Sequence, residues 1–466
     1  MKKELENNLN NPWQVERYEA LRLAGKSIYF DVDDFEEIVD HFITRGHFSK
    51  ALNIAEYACQ VHPSSIPLML KRAQLLAFTN KEDHALELLS HVEILEPSNT
   101  DVFLTRGAIY SQQRNYEQAI EEYSKAVVDS DEPDSLYCSI AFEYENMGHY
   151  DKTIEFLGKA LELNPDNDLA IFEAAYCFDL LSLTEESISF FKGLIDRHPY
   201  SLEAWFNLGV SYINMRRYEE AIEALDFALA IEKDHEHSWF HKAYALSLQE
   251  RYPEAIDAYK ESLTEDEEDN ALKYYYIGEC HEKMEDYIKA ASYFRKTTRL
   301  DPTISDAWMG LGVCELENGT AAKAIKLMKK GVTQDPNNSG YLCMLAEAYI
   351  TNEQLDQAVE CFEKALKQED GEEDVWMDYA EAHFRGGDFA AAAGVIARGL
   401  DRLPESTNLL YRMAAYLFMN GQQKEGTFFM EDALTKDFKG HLQLIEQYPA
   451  LSAIPAFLEL IDFYRS

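Results

Sequence analysis

The chain has 466 residues and a formal charge of −41, from 84 acidic against 43 basic side chains. A field of that sign repels phosphate backbones and anionic lipid, so neither nucleic acid nor a membrane surface is an expected partner. Hydrophobic residues make up 46%, enough for extensive burial, yet no apolar run approaches the ~18 residues that a membrane span needs.

The opening segment, residues 1–31, begins MKKELENNLNN. It carries charge without the apolar core of a secretion signal, and a cytoplasmic protein is expected. The spacing predicts a short helix from Trp13 to Ala24, after which SIYFDVDDF leads into a longer pattern.

From Phe35 onward a large apolar residue returns every 34 positions, at Phe35, Met69, Phe103, Tyr137, Ile171, Trp205 and Trp239. The next is Tyr274, one residue late, and Trp308, Leu342, Trp376 and Leu410 then resume the period. A single insertion near the acidic loop Glu265–Asn270 accounts for the slip.

Within one period, Trp205, Leu208, Gly209 and Tyr212 fall on one helical stripe, and Ala221, Leu225, Ala228 and Leu229 on a second after the polar break Asn214–Arg217. That predicts a helical hairpin. Gly209 and Ala221 stand where the stripes face, so the backbones approach closely with Trp205 and Tyr212 wedged beside them.

The other slots keep step. Gly107, Gly209, Gly278 and Gly312 alternate with alanines such as Ala73 and Ala141, while Ala85, Ala119, Ala221 and Ala255 mark the second helix. Prolines at 63, 97, 165, 199, 302, 336 and 404 close many units, since a proline cannot continue the helical ladder.

These residues and spacings resemble the tetratricopeptide repeat, with its period of 34 and its W…LG…Y…A…F…A…P signature. The resemblance covers residues 32–440 as twelve units, starting near 32, 66, 100, 134, 168, 202, 236, 271, 305, 339, 373 and 407. It implies an all-α fold, a right-handed superhelical solenoid of paired antiparallel helices with a concave inner face. The unit from Asp168 departs from the pattern with Thr184 and Ser187, and the last unit has Gly426 in the alanine slot. Looser joints are expected there.

Residues 441–466 carry Leu442, Ile445, Tyr448, Leu451, Ile454, Phe457, Leu458 and Ile461. A repeat stack leaves its last apolar face bare, so this tail reads first as a cap. A dimerisation or docking helix is the alternative.

No phosphate-binding, dinucleotide, nucleophile-elbow or H-E-x-x-H motif is present. DVDDFEE at Asp31 lacks the glycine of a calcium loop, and its acids suit a helix start. The best metal candidate is DHEHSWFHK, where His237 and His241 stand at i, i+4 and His235 just before them. A third ligand at defined distance is not evident.

Seven cysteines with no C-x-x-C pair point to a reducing compartment without disulfides. Cys177, Cys280 and Cys314 each lie six residues after the Trp-like slot, where a small buried side chain fits. No cofactor and no catalytic residue is implied.

The resemblance places a partner on the first helix of each hairpin, on the face turned away from its sister. The residues there are Phe172, Tyr176, Phe206, Asn207, Val210, Ile213, Phe240, His241, Tyr244, Tyr275 and Met309. Such aromatics could hold a peptide, or pack against the adjacent hairpin. The carboxylate clamp of co-chaperone members is not reproduced, because Lys71, Asn207, Arg385 and Arg412 are scattered through distant units. Asn207 has no matching asparagine in neighbouring units, so there is no asparagine ladder.

The expected function is therefore a non-catalytic scaffold binding a peptide or protein partner. The acidic runs at 129–134, 265–269 and 369–374 suit a basic one, although such runs are commonly just solvated edges. A metal-dependent site around His235, His237 and His241 is one alternative. RNA binding is another, disfavoured by the charge.

Overall fold

In a computed structural model of the protein, residues 13–25, 28–368 and 371–465 are described, and they form helices and no strand. Residues 1–12, and two positions of the acidic run at 369–374, lie outside them. The chain divides into two compact units, Met1–Glu232 and Lys233–Ser466.

In the first unit the helices pair as Val32–Thr44 with Phe48–Val61, Ile66–Phe78 with Glu82–Leu95, and Thr100–Gln112 with Tyr116–Val127. Pro133–Asn146 with Tyr150–Leu163, Asp168–Leu180 with Thr184–Arg197, and Leu202–Asn214 with Tyr218–Ile231 complete it. In the second unit the pairs are Glu236–Leu248 with Tyr252–Glu261, Ala271–Lys283 with Tyr287–Leu300, and Ser305–Glu317 with Ala321–Gln334. Ser339–Thr351 with Leu355–Gln368, Glu373–Arg385 with Phe389–Arg402, and Thr407–Met419 with Gln423–Lys436 follow. Successive helices pack on one another in both units.

The small-residue slot is where each pair closes. A Cβ added to Gly107, Gly209, Gly278 or Gly312 would stand 2.5, 2.7, 2.8 or 2.4 Å from Tyr123, Leu225, Phe294 or Met328, in each case the residue sixteen positions on. The missing side chain is thus filled by a large one from the sister helix, giving close packing without a void. Cys177, Cys280 and Cys314 are buried in their slots, and burial pushes their thiols up to about 12.

Trp205 takes a different position from the wedge expected of it. Tyr212 is buried, but Trp205 lies at the rim of the pair and stacks on Phe227 with ring centroids 4.4 Å apart. Its indole N–H donates to the carbonyl of Pro199 at 2.8 Å. Trp239 and Trp308 repeat that bond to Lys233 and Pro302, also six residues back. The tryptophan slot therefore fastens the preceding loop.

Every turn within a pair is three residues long, and its middle residue has a positive φ. Five of the twelve are glycines, Gly46, Gly148, Gly319, Gly387 and Gly421, and the others include Asn80, Arg216, Glu250, Glu285 and Glu353. The next residue then donates back across the turn, as Arg217 does to the Tyr212 carbonyl at 2.9 Å and Gln354 to that of Tyr349 at 2.8 Å. This satisfies carbonyls that the helix end would otherwise orphan. Between pairs, each of the seven loop prolines stands two residues past the end of a second helix.

Two local departures follow from the sequence. Helix Tyr252–Glu261 has 10 residues where most second helices have 14. The loop after it is tied by Asn270, whose side chain accepts from Thr264 N at 2.9 Å and donates to the carbonyls of Thr264 and Asp266. The inserted residue is absorbed there. In the fifth pair, Asp168–Leu180 touches its sister helix sparsely. Ser187, buried in the alanine slot, instead meets Ser211 of the next pair, Oγ to Oγ, at 2.8 Å.

Both ends are covered. Helix Trp13–Leu23 buries Val15 and Tyr18, and Lys50 pairs with Glu19 at 2.6 Å. After Lys436, helices Gly440–Gln447 and Pro455–Arg465 bury Leu444, Phe457 and Ile461, with Phe418 and Phe457 rings edge to face at 5.7 Å. Tyr448 joins Arg412, Tyr416 and Glu381 in one hydrogen-bonded cluster. Leu442, Leu458 and Phe463 remain exposed.

Candidate partner-binding face

The first helix of each pair owes its position to an N-cap and to the packed stripe on its inner side. Asn167 accepts from Ala170 N at 3.1 Å, and Ser201 from Ala204 N at 3.3 Å, fixing the entry of two such helices. What each helix presents on its other side then depends on how far its neighbours cover it.

In the first unit the expected lining divides. Phe172 and Tyr176 are 64% and 47% exposed. Phe206 and Val210 are partly covered. Asn207 and Ile213 are buried, contrary to expectation: Asn207 donates to the Glu203 carbonyl of its own helix at 2.8 Å, and Ile213 belongs to the core. Neither side chain lines an open groove.

In the second unit the aromatics pack on one another. The ring of Phe240 lies 5.6 Å from both Tyr259 and Tyr276, Tyr244 lies 5.9 Å from Tyr276, and Tyr275 lies 5.9 Å from Phe294. Burial pushes the Tyr259 and Tyr275 phenols up. Met309, at 2% exposure, is core rather than lining, because its sulfur fills the space beside Gly331. Here the aromatic slot serves packing between pairs.

The three histidines are neighbours, with the His235 and His237 rings 5.7 Å apart, but two of them use Nδ1 within the helix. His235 uses Nδ1 as the helix N-cap, against Ser238 N at 3.3 Å and Ser238 Oγ at 2.7 Å. His241 Nδ1 is bonded to the His237 carbonyl at 2.9 Å. Among the described residues no group of three or more His, Cys, Asp or Glu side chains is placed to hold a metal ion, so the geometry gives the metal-site alternative no support. The basic residues of the scattered clamp are each met by an acid, Lys71 by Asp40, and Arg385 and Arg412 by Glu381 at 3.1 and 3.3 Å.

The sequence reading missed part of the face. A cleft of about 340 Å³ opens on the first helices of the second and third pairs, lined by Ala77, Phe78, Leu104, Ala108 and Ile109 with Gln74, Thr105 and Gln112. Leu104 and Ala108 stand two periods before Phe172 and Tyr176, so carrying those slots backward would have found it. Phe142, Leu169 and Leu180 are also exposed, and Leu169, Phe172, Tyr176 and Leu180 form one stripe on their helix.

Two profiles of the tetratricopeptide repeat match the chain, one at residues 203–270, 278–339 and 343–407 and another at 100–127 and 134–167. The chain belongs to the tetratricopeptide-repeat family. Among solved tetratricopeptide structures it is similar to the APC/C hetero-tetramer Cut9–Hcn1, at 15% identity over 86% of this chain and 92% of that one, with a TM-score of 0.43. It is also similar to YrrB, a tetratricopeptide-repeat protein with an unusual peptide-binding site, at 20% identity over 38% and 92%, TM-score 0.33. A third is PilF of Pseudomonas aeruginosa, at 19% identity over 44% and 93%, TM-score 0.39. No curated protein matches the chain. Tetratricopeptide repeats serve generally as protein-interaction scaffolds, typically without catalysis. Among the described residues no helix is long and apolar enough to cross a membrane.

Proposed function

We propose that this chain is a non-catalytic scaffold that binds a peptide or protein partner along the first helices of its repeats. One observation carries the reading: in the first unit those helices leave an apolar cleft and an exposed aromatic stripe open to solvent, on a fold otherwise given over to packing its own repeats. Apolar clefts edged by a few polar groups are the usual means by which such surfaces hold an extended or helical segment.

A basic partner fits the charge of −41. A cytoplasmic setting fits seven cysteines that are all free. The tail buries Leu444, Tyr448, Leu451, Phe457 and Ile461, so a dimer formed through it would rest on Leu442, Leu458 and Phe463.

Crosslinking mass spectrometry in the source cell tests the reading. A partner crosslinked to first-helix residues of the first unit is the expected result. Recovery of no protein partner, together with turnover by the purified chain, would overturn it.

A further inference from the structure

The open face of the first unit is apolar in a particular way. Its cleft beside Phe78 and Leu104 lies on the second and third pairs, and its stripe of Leu169, Phe172, Tyr176 and Leu180, with Phe142 before it, lies on the fourth and fifth. Large apolar residues left exposed on one helix after another mark an interaction site more often than single scattered ones do.

Carboxylates stand among these apolar residues. Glu145 and Glu173 are half-buried on the same two first helices, and neither has an ion pair among the described residues. Burial, and after it the charge of Glu173, pushes the Glu145 carboxyl above its ordinary range, with no cation acting on it. The Asp179 side chain, one turn on from Tyr176, meets the Asn214 amide at 3.4 Å and has no ion pair among the described residues. The acids elsewhere in this unit are often paired, as Glu155 is with Lys152 and Lys159 and Glu122 with Arg106 and Lys125. The carboxylates beside the stripe are not.

We propose, building on the scaffold reading above, that this face takes a cationic amphipathic segment. Its apolar side chains enter the cleft at Phe78 and Leu104 and lie along Phe172 and Tyr176, while its lysines or arginines meet Glu145 and Glu173. Charge decides the occupant. A second copy of this chain, at −41, would bring carboxylates against carboxylates. An acidic peptide or an anionic lipid surface would be repelled in the same way.

Diffuse attraction between any cation and so acidic a chain is the competing explanation, and the test must separate the two. Fluorescence anisotropy of the full chain would use a labelled synthetic helix of leucine and lysine in amphipathic order. Two control peptides replace every lysine by glutamate or every leucine by serine. The leucine-lysine peptide is expected to bind, and both controls to lose binding.

Phe172→Ala with Tyr176→Ala should weaken binding by about tenfold or more, as loss of two apolar anchors does. Glu145→Gln with Glu173→Gln should weaken it and flatten its salt dependence. Glu265→Gln, Glu267→Gln and Asp269→Asn, in the acidic loop of the other unit, should leave it nearly unchanged. Circular dichroism checks that each variant stays helical. No binding, or equal binding by the serine peptide, or an effect of the loop variants as large as that of the stripe variants, overturns the proposal. A cellular partner crosslinked only to first helices of the other unit would do so too, while leaving the reading of binding along the first helices intact.

Discussion

Gly209 faces Leu225 so closely that a Cβ on residue 209 would stand 2.7 Å from Leu225 Cγ. Gly209→Ala must therefore displace Leu225 from its packed position, at an expected cost of about 1–3 kcal/mol. Gly193, also helical, has no atom within 4 Å of where its Cβ would be. Gly193→Ala should instead stabilise by about 0.5–1 kcal/mol through helix propensity alone. Thermal unfolding of the two variants should give shifts of opposite sign; shifts in the same direction would show that the close approach does not matter.

The turn residues give a second test. Glu250 holds φ at +61 and Gly148 at +74 in equivalent turns. A side chain in the left-handed region costs about 1–2 kcal/mol, part of which a glycine gives back through its freer unfolded chain. Glu250→Gly should raise stability by up to about 1 kcal/mol, and Gly148→Ala should lower it by about the same. Urea denaturation measures both, and a destabilised Glu250→Gly would mean that its side chain has a role beyond the turn.

A third prediction concerns pH. Glu143 is 2% exposed, its Oε2 has no hydrogen-bond partner among the described residues, and burial raises its carboxyl above the ordinary 4.5, with Ser111 and Asn146 pulling the other way. An acid whose folded pKa is raised destabilises the fold while ionised, above that pKa. The penalty disappears as pH falls through the folded value toward 4.5. Glu143→Gln is expected to raise Tm by about 2 °C or more at about pH 8, with the gap closing by about pH 4. A gap that stays constant across the titration would assign the effect to packing.

The C-terminal tail offers a fourth. Phe457 is wholly buried against Phe418, so Phe457→Ala should cost about 3–5 kcal/mol. Tyr448→Phe removes a hydroxyl shared by Arg412, Tyr416 and Glu381 and should cost about 1–3 kcal/mol, because the remaining groups lose a partner in a buried cluster. Hydrogen exchange would show the loss first in helices Thr407–Met419 and Pro455–Arg465. Unchanged protection there would mean that the tail does not brace the last pair.

The repeat was legible because each pair must bury its stripe on a neighbour, so the same slots recur and a single sequence reveals them. Gly209, Ala221 and the loop prolines carry that information on their own. The turns were less legible. Glu250, Glu285 and Glu353 adopt the left-handed conformation without the glycine or asparagine that signals it, because the surrounding helices fix the geometry. The Trp205 bond to Pro199 was hidden for a related reason, since hydropathy does not register an indole N–H.

The binding face was harder still. The 34-residue register says which side of a helix a residue occupies, not whether the next pair covers it. Phe172 and Met309 hold the same slot, four periods and one inserted residue apart, yet the first is exposed and the second buried. Met309 is drawn in where Gly331 makes room for its sulfur, and Phe172 stands on a helix that touches its sister only sparsely. Neither follows from the slot itself.

Successive helices in each compact unit pack chiefly on the helix before and the helix after. A tug on such an array meets no single clasp whose failure frees everything. Held between the beads of an optical trap, each unit would lengthen in small steps, about one hairpin per step, and would regain its form as the tension eased.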